Sequence, residues 1–554
     1  MAAGAAAALA WLLLCLRWFD AAVPARPAWV TSLPPWLLAL ATTGLLALWL
    51  VRRWPMLREG ERGGLRGATL LLVVLAAGFR LPLAWWGSAG YVAPDGALSG
   101  IVALRLARGA EHYVFVPHVA YSGSLKSHLA AALMAVAEPS RAFALASVAF
   151  YALFVAGVHR LALLAGPRAG GAALRAGLLA AFAPAFVTQY SLSNDGNYVE
   201  VLALGTWALY LAVRWARDGG AFAVPLGLLL GLALWCHLLA VVYAAAIALL
   251  MVLHDVRRAL RDAGWAGAGV VLGYLPGLIW NATHGWASLA HFVPGERGTG
   301  LEVGLGERVR ALVLDELPIL LGYDLGFPAA LDVVLRVAAA SMVALVLLAV
   351  AAGLAGGMRL SAVRAALLLV LVNVGVALFA LPYLPGNPRY LLFLMTPLPL
   401  LVGRLLHGRA GRAAALAAAA FGAVSALLSV PDVMRADARW RRLISGLETA
   451  GFRHCYSDFF NATKINFLSA ERVVCSAKLG PTTTEYFFEY REEVDRAPAA
   501  ALVPVNRTAA EKLERRLERL GVAYERRELS KAVILPARKV DPAELFPDRD
   551  FPLR

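Results

Sequence analysis

The candidate acid–base residue of this chain stands at the edge of an apolar segment. Asp95 is the first carboxylate after a segment that ends near residue 87, in the string GYVAPDGALSGIVALRLARG. A carboxylate in such a place can act as a general base. An Asp that follows Pro and precedes an apolar helical run is equally suited to cap that helix. Spacing leaves both roles open, and one residue can fill both.

Two arginines are candidates for binding an anion. Arg80 lies in the outer part of an apolar segment, and Arg389 follows the Pro-rich turn in PYLPGNPRYLLFL. Both side chains could simply extend to lipid headgroups. The planar guanidinium group also suits phosphate recognition. A phosphate or anionic-lipid role for Arg389 is therefore one of two open interpretations.

Several further polar residues are candidates for substrate binding. Glu200 follows the turn SLSNDGNY, which contains Asp195, and a carboxylate at this point is costly unless it faces a wet cavity or a partner. His237, in GLALWCHLLAVVY, could be a packed histidine or a ligand. Tyr121 and Glu111, in the stretch after Asp95, complete the set.

The sequence does not assign a metal site. Glu111, His112, His118 and His128 carry suitable side chains but lack an i, i+4 pair with a third ligand at a known spacing. None of the cysteines has the spacing of a zinc or thioredoxin motif. We assign no cofactor, and a divalent metal is left open.

The composition predicts a membrane protein. Hydrophobic residues make up 60% of the 554 residues and charged residues 16%, which is far more apolar than a soluble domain. The net charge of +15 comes largely from Arg in short gaps between apolar runs. This is the positive-inside pattern, without the basic, aromatic-interleaved stripe of a nucleic-acid-binding surface. We therefore exclude nucleic acid as a partner.

Apolar segments suited to crossing a bilayer recur along most of the chain. Each needs about 20 residues, and we predict about thirteen membrane-spanning helices. They lie near 2–16, 35–51, 67–87, 141–164, 176–191, 199–213, 223–238, 239–253, 265–281, 329–352, 365–384, 390–406 and 413–430. The first could be a signal peptide, but no positive region precedes it, which favours an anchor.

The distribution of Arg predicts the topology. If the Arg-rich gap at 52–66 is cytoplasmic, every later Arg-bearing gap is cytoplasmic too. The stretches 88–140, 282–328 and 431–554 then lie outside, together with the turn near Asn194. The amphipathic run in 88–140 is expected to lie along the membrane surface.

The polar tail predicts a separate soluble unit. A helical run at 509–520 lies between strand-like runs at 500–505 and 532–536, which indicates a small α/β domain. We predict three parts: 1–66 with extra N-terminal membrane helices, 67–430 as the transmembrane module, and 431–554 as the soluble domain. Cys455 and Cys475 are predicted to form a disulfide, because this domain is placed in an oxidising compartment.

The order of several strings resembles that of a known family. GALSGIVALRLARG follows Asp95, and YSGSLKSHLAAALMAVAEPSRAFAL, GLLLGLALWCHLLAVVY, GYLPGLIWN and NPRYLLFLMTPLPLL come later. In this order they resemble bacterial membrane glycosyltransferases of the protein O-mannosyltransferase type, glycosyltransferase family 39 of the GT-C superfamily. The string CYSDFFNATKINFLSAERVVCSA resembles the soluble tail of one bacterial branch. The chain departs from the family at Gly96, where a second carboxylate is frequent, and at Lys126, where Glu is common.

The resemblance implies an all-α, polytopic GT-C fold in the bacterial inner membrane, with the C-terminal α/β domain in the periplasm. It implies transfer of a sugar from a polyprenyl-phosphate donor to a lipid, glycan or protein acceptor at the periplasmic face. Asp95 would then deprotonate the acceptor hydroxyl for displacement with inversion, and Arg389, with Arg80, would hold the departing phosphate.

Other functions are compatible with a polytopic chain. A transporter or flippase of lipid-linked sugars also needs charged residues near helix ends, although transporters favour internal repeats and broken helices at the midplane. A non-catalytic scaffold would leave the outer Asp and Arg without a shared cavity. An oligosaccharide polymerase or ligase would differ only in its acceptor.

Overall fold

The computed structural model describes residues 65–166, 169–193, 196–218, 222–289, 303–323, 329–356, 361–379, 388–480 and 485–547. The predicted spans at 2–16 and 35–51, and nearly all of the Arg-rich gap at 52–66, lie outside these residues. The chain is mostly helical within them.

Helices make up the described part before residue 450. In chain order they are α1 (Leu65–Trp86), α2 (Ser88–Tyr91), α3 (Pro94–Ala107), α4 (Leu125–Leu133), α5 (Pro139–Leu163), α6 (Gly170–Ala181), α7 (Ala185–Ser193), α8 (Tyr198–Asp218), α9 (Ala223–Cys236), α10 (Val241–His254), α11 (Val256–Gly273), α12 (Leu275–Thr283), α13 (Leu305–Ala311), α14 (Leu317–Leu320), α15 (Ala329–Ala355), α16 (Ser361–Phe379), α17 (Pro397–Leu405) and α18 (Gly408–Thr449). A small antiparallel hairpin, β1 (Phe115–Val116) and β2 (Val119–Gly123), separates α3 from α4. A π-helical turn, Leu312–Glu316, joins α13 to α14.

Six of these helices are long and apolar enough to cross a membrane: α1, α5, α8, α15, α16 and α18. The bent pairs α6–α7 and α11–α12 raise the number to eight among the described residues. Helices α9 and α10 are apolar but have 14 residues each, or about 21 Å at 1.5 Å per residue. Helix length therefore supports up to eight spans in the described residues, where eleven of the thirteen are predicted.

The predicted span at 390–406 is divided in two. Its first half is a 3₁₀ helix, Pro388–Met395, which we call the 3₁₀ segment, and its second half is α17. Pro397 and Pro399 stand at the start of α17 and have no backbone N–H to donate to the preceding turn. The prolines therefore end one helix and begin the next.

Helices α9 and α11 pack so closely that their backbones are in contact. A Cβ on Gly227 or Gly231 of α9 would lie 1.9 Å or 2.3 Å from the carbonyl oxygens of Ala266 and Val270 in α11. Gly269 of α11 is equally close to the α9 backbone. Glycines four residues apart allow this close packing, as in membrane helix pairs with the small-xxx-small pattern.

The C-terminal α/β region, residues 450–547, is built around a five-stranded sheet. Its elements are β3 (His454–Ser457), α19 (Phe459–Leu468), β4 (Val474–Ser476), α20 (Phe488–Arg496), β5 (Ala501–Val503), α21 (Arg507–Arg519), β6 (Tyr524–Glu528), β7 (Ala532–Pro536) and α22 (Pro542–Leu545). The strand order is β4-β3-β5-β7-β6, with β4, β3 and β5 parallel and β7 and β6 antiparallel to their neighbours. The predicted strands at 500–505 and 532–536 and the helix at 509–520 correspond to β5, β7 and α21.

Cys455 and Cys475 lie directly opposite each other on β3 and β4, with Cα atoms 4.4 Å apart. Their sulfur atoms are bonded, which confirms the predicted disulfide. Helix α18 leads into this region without a break at the predicted boundary, and Pro431 lies inside the helix.

Helix α3 is enclosed by protein. Every residue from Gly96 to Leu106 is buried, and the helix packs against α4 and against α19 of the C-terminal α/β region. The apolar face of this run therefore packs on protein, and its placement along the membrane surface stays a prediction. Its second face is covered by a region too distant in the sequence for periodicity to reveal.

Candidate active site

Asp95 lies in the first turn of α3. Ala93 occupies the N-cap position, Pro94 is the first helical residue, and no side chain caps the helix. The interpretation of Asp95 as the N-cap is therefore wrong by two positions. A carboxylate in the first turn still interacts favourably with the positive end of the helix dipole. The Asp95 side chain is 47% exposed.

Arg389 faces Asp95 across the site. Its Nη1 lies 3.7 Å from Oδ2 of Asp95, and its side chain is 29% exposed. Arg389 is the second residue of the 3₁₀ segment, and the amide of Asn373 on α16 donates to the Tyr390 carbonyl at 2.9 Å. The structure thus brings together the predicted base and the predicted phosphate ligand at the starts of two helical segments.

A buried ion pair lies beside the point where α4 contacts α3. The Ser127 hydroxyl of α4 donates to the Ser99 carbonyl of α3 at 2.8 Å. The neighbouring Lys126 places its Nζ 3.8 Å from Oε2 of Glu200, and both side chains are almost completely buried. Burial lowers the pKa of Lys126 to about 8, although Glu200 opposes the shift. Glu200 therefore has a charged partner, as its position required.

Asn197 joins three elements beside this pair. Its amide nitrogen donates to the Ser122 hydroxyl, the Gly123 carbonyl and the Cys236 carbonyl, at 3.0, 2.6 and 3.1 Å. The residue has a φ of 60°, a left-handed conformation that Asn tolerates better than most residues. The hairpin, the start of α8 and the end of α9 are thereby fixed together. The neighbouring candidate Asp195 lies outside the described residues.

His237 and Tyr121 are part of one aromatic cluster. The His237 ring stacks on Tyr198 and meets Tyr121 edge-on, each at 5.3 Å between centroids. Its Nδ1 accepts a hydrogen bond from the Leu239 amide at 3.0 Å. Tyr198 in turn lies 6.0 Å from Phe393 in the 3₁₀ segment. The cluster that contains two further predicted residues therefore contacts the 3₁₀ segment through Phe393.

Arg80 lies elsewhere and is completely buried. Its guanidinium group donates to the carbonyls of Ala181 and Ala76, at 2.7 and 3.2 Å, and to the Ser191 hydroxyl at 2.7 Å. It also stacks 3.8 Å from the centre of the Tyr151 ring. Ala181 ends α6 at the bend before α7, so the cation neutralises carbonyl groups that the broken helix leaves without partners.

Glu111 is separated from Asp95 by the length of α3. It pairs with Arg105 at 3.6 Å, near the far end of a helix that rises about 15 Å between residues 95 and 105. His128 points its Nδ1 at the Ser124 carbonyl, and burial lowers its pKa to about 4. In the part of the chain that the structure describes, no group of three His, Cys, Asp or Glu side chains could hold a metal ion.

Sequence reasoning missed the partners that come from distant segments. Lys126 was visible only as a departure from the family, and no local signal pairs it with Glu200. The contacts of Arg105 with the C-terminal α/β region were equally hidden, because an Arg on an apolar helix carries no mark of its partner.

Neither a protein-family model nor a curated protein matches the chain. Its fold is similar to that of ArnT from Cupriavidus metallidurans bound to undecaprenyl phosphate, whose crystal structure aligns with 85% of this chain and 98% of its own at 12% identity and a TM-score of 0.56. The Archaeoglobus fulgidus oligosaccharyltransferase in complex with Zn and sulfate aligns with 85% of this chain and 73% of its own, at 13% identity and a TM-score of 0.49. The apolar helices and this fold make the chain a multi-pass membrane protein.

Proposed function

We propose that this chain is a membrane glycosyltransferase that transfers a hexose or pentose from a polyprenyl-phosphate donor to an acceptor hydroxyl. The observation that carries the proposal is the Asp95–Arg389 pair. A base and a cation suited to phosphate stand 3.7 Å apart, both reachable by solvent, on a GT-C fold. The ArnT structure with undecaprenyl phosphate supports the choice of a polyprenyl-phosphate donor.

The proposed reaction is a single displacement. The Asp95 carboxylate accepts the proton of the acceptor hydroxyl as its oxygen attacks the anomeric carbon. The bond between that carbon and the phosphate oxygen breaks, and the electron pair leaves with the polyprenyl phosphate. The Arg389 guanidinium stabilises the charge that develops on the leaving phosphate. Attack from the side opposite the leaving group inverts the anomeric centre.

The resting ion pair fits an exchange of partners. At 3.7 Å the two groups are too far apart for a close hydrogen bond, and each retains exposed surface. An incoming phosphate can approach Arg389 from its exposed side, which would leave the Asp95 carboxylate available for the acceptor. Glu200, His237 and Tyr121 would contribute to the walls of the sugar site.

Arg80 is omitted from the proposed phosphate site. Its guanidinium already binds two carbonyls and a hydroxyl, and its side chain is completely buried. A lipid phosphate would have to displace all three contacts. Of these two arginines, only Arg389 is exposed enough to bind a ligand without such a rearrangement.

We also propose that the site faces the periplasm from the bacterial inner membrane. Arg175 donates to the Gly403 carbonyl and Arg404 to the Ala165 carbonyl, so Arg-bearing helix ends cluster together. The Lys126–Glu200 pair lies at the opposite ends of α5 and α8, near Phe143. The positive-inside rule then supports a cytoplasmic position for the arginines. Residues 67–430 would form the catalytic module and 431–554 a periplasmic unit.

The decisive experiment supplies purified protein in lipid vesicles with a panel of polyprenyl-phosphate sugars and candidate lipid, glycan and protein acceptors. We expect release of polyprenyl phosphate with one donor class, and no release from the Asp95→Asn variant. If the protein moves a lipid-linked sugar across the vesicle membrane without cleaving it, the chain is a flippase and the proposal is wrong.

A further inference from the structure

The geometry points to a positioning role for the C-terminal α/β region: α19 and the residues after it hold α3 at its middle and its far end, and thereby fix where Asp95 stands. This rests on the proposed function, because it takes Asp95 to be the base. Gly100 and Arg105 are the positioning residues on α3.

The far end of α3 is held by a buried cation. Arg105 is 7% exposed, its Nε donates to Glu471 at 3.0 Å, and its Nη1 forms an ion pair with Glu489. The guanidinium group also lies over the rings of Phe487 and Tyr490, at 4.6 and 5.0 Å. Burial alone would lower the pKa of Arg105, but the neighbouring Tyr490, Glu489 and Glu471 raise it overall. The side chain therefore stays charged and bound.

The segment after α19 is shaped for this contact. Ala470 and Glu471 both have left-handed backbone angles, φ 52° and 57°, which cost a residue with a side chain on the order of 1–3 kcal/mol each. The turn directs Glu471 to Arg105, and it places the Ala470 carbonyl 2.7 Å from Arg108. Strain of this kind persists where surrounding contacts compensate for it.

The middle of α3 has no spare room. A Cβ on Gly100 would lie 2.5 Å from the Phe467 ring of α19, whereas ordinary carbon contacts are about 3.5–4.0 Å. The ring cannot move aside easily, because Phe467 is completely buried and meets Phe143 edge-on at 5.9 Å. An added methyl group at residue 100 must therefore push α3 away from α19 by about 1 Å.

Displacing α3 displaces Asp95. Gly100 lies less than two helical turns from Asp95, and backbone hydrogen bonds make the helix stiff over that distance. The packing of α3 on the C-terminal α/β region therefore helps to determine where the base stands.

The test uses the full-length protein in vesicles and the variants Gly100→Ala, Phe467→Leu and their combination. We expect Gly100→Ala to lower kcat about 10- to 100-fold, because a misplacement of about 1 Å can cost on the order of a hundredfold. The KM for the polyprenyl-phosphate donor should hardly change, since Arg389 stays in place. Phe467→Leu in the same chain should restore most of the lost kcat by making room for the methyl group.

A matched control separates positioning from folding. Gly78→Ala in α1 meets no atom within 4 Å of the added Cβ and should leave kcat unchanged. Ala is also the better helix former, so neither substitution weakens its own helix. Amide hydrogen exchange should show that α3 remains folded in Gly100→Ala.

A second variant tests the far end of α3. Arg105→Met keeps an unbranched apolar stem but removes the guanidinium group and its ion pairs, and it should lower kcat without raising the donor KM, with partial rescue in Arg105→Lys. The proposal is overturned if Gly100→Ala and Arg105→Met both keep the wild-type kcat. It is also overturned if Phe467→Leu fails to rescue Gly100→Ala. An inactive wild type would instead overturn the proposed function.

Discussion

Arg389 and Arg80 carry the same charge in the same fold but stand in opposite surroundings. Arg389 is partly exposed and holds its carboxylate partner at 3.7 Å. Arg80 is completely buried, and two hydrogen bonds tie it to α6 and α7 while a third goes to Ala76 in its own helix. A side chain can serve a substrate only if the substrate can replace its resting contacts cheaply. The comparison therefore supports the chemical role that we propose for the Asp95–Arg389 pair and a structural role for Arg80.

The largest effect is expected from Asp95→Asn. The amide keeps the size of the side chain but cannot accept a proton, so turnover should fall about 10²- to 10⁴-fold while the donor remains bound. Release of polyprenyl phosphate measures the rate, and binding of labelled donor measures the affinity. Glu111→Gln, a matched change beyond the far end of α3, should keep near-normal activity. The reverse pattern would move the base to Glu111.

Arg80→Met should act on stability instead. It leaves the Ala181 carbonyl without its cation and removes the donor to Ser191, at a cost of about 2–4 kcal/mol in the free energy of unfolding. The thermal unfolding midpoint of the detergent-solubilised protein measures this loss. The folded fraction should retain its donor KM. A raised donor KM with unchanged stability would return Arg80 to the phosphate site.

Arg389→Ala should weaken donor binding more than it destabilises the fold. Removing a charged hydrogen-bond donor to phosphate costs about 1.5–3 kcal/mol, or roughly 10- to 100-fold in affinity. Arg389→Lys keeps the charge but loses the forked geometry, so its donor affinity should fall between those of the wild type and Arg389→Ala. Equal donor affinity in all three proteins would remove Arg389 from the proposal.

The smallest effect on stability is expected from removing both members of the Asp95–Arg389 pair. A chain carrying both Asp95→Asn and Arg389→Ala should unfold with a free energy within about 1 kcal/mol of the wild type, because long, partly exposed ion pairs contribute little. Thermal and denaturant unfolding measure it. A loss above about 2 kcal/mol would mean that the pair is structural and that the contrast with Arg80 does not hold.

Apolar segments and candidate residues can be recognised in the sequence, but the contacts that these residues make with distant segments cannot. Hydropathy finds the apolar segments because burial in lipid needs a continuous run, but it cannot show that prolines divide 390–406. Asp95 and Arg389 were each recognisable from type and position, whereas their contact joins segments from opposite halves of the chain. Glu111 is near Asp95 in sequence, but the straight rise of α3 carries them apart.

Charge pairing explains the remaining differences. The sequence shows that burying Glu200 would be costly, but it does not show which residue offsets that cost. Lys126 offsets it in the folded chain, where α4 lies next to the start of α8. Arg80 was predicted to be available to phosphate because hydropathy indicates how deep a residue lies in the membrane. Hydropathy does not indicate which face of the helix the residue occupies. The partner of Arg80, the carbonyl at the end of α6, exists only once that helix is broken.

Helix α18 sets the distance and the rotation of the C-terminal α/β region relative to the start of the helix. Its 42 residues extend about 63 Å, roughly twice the thickness of a bilayer core. The C-terminal half carries Asp437, which accepts from the Ala89 amide, and it is followed after a short turn by β3. Deleting one residue between 438 and 449 would turn the C-terminal α/β region by about 100° and lower it by 1.5 Å. Chain-length variation is therefore tolerable in the surface loops but not along this helix.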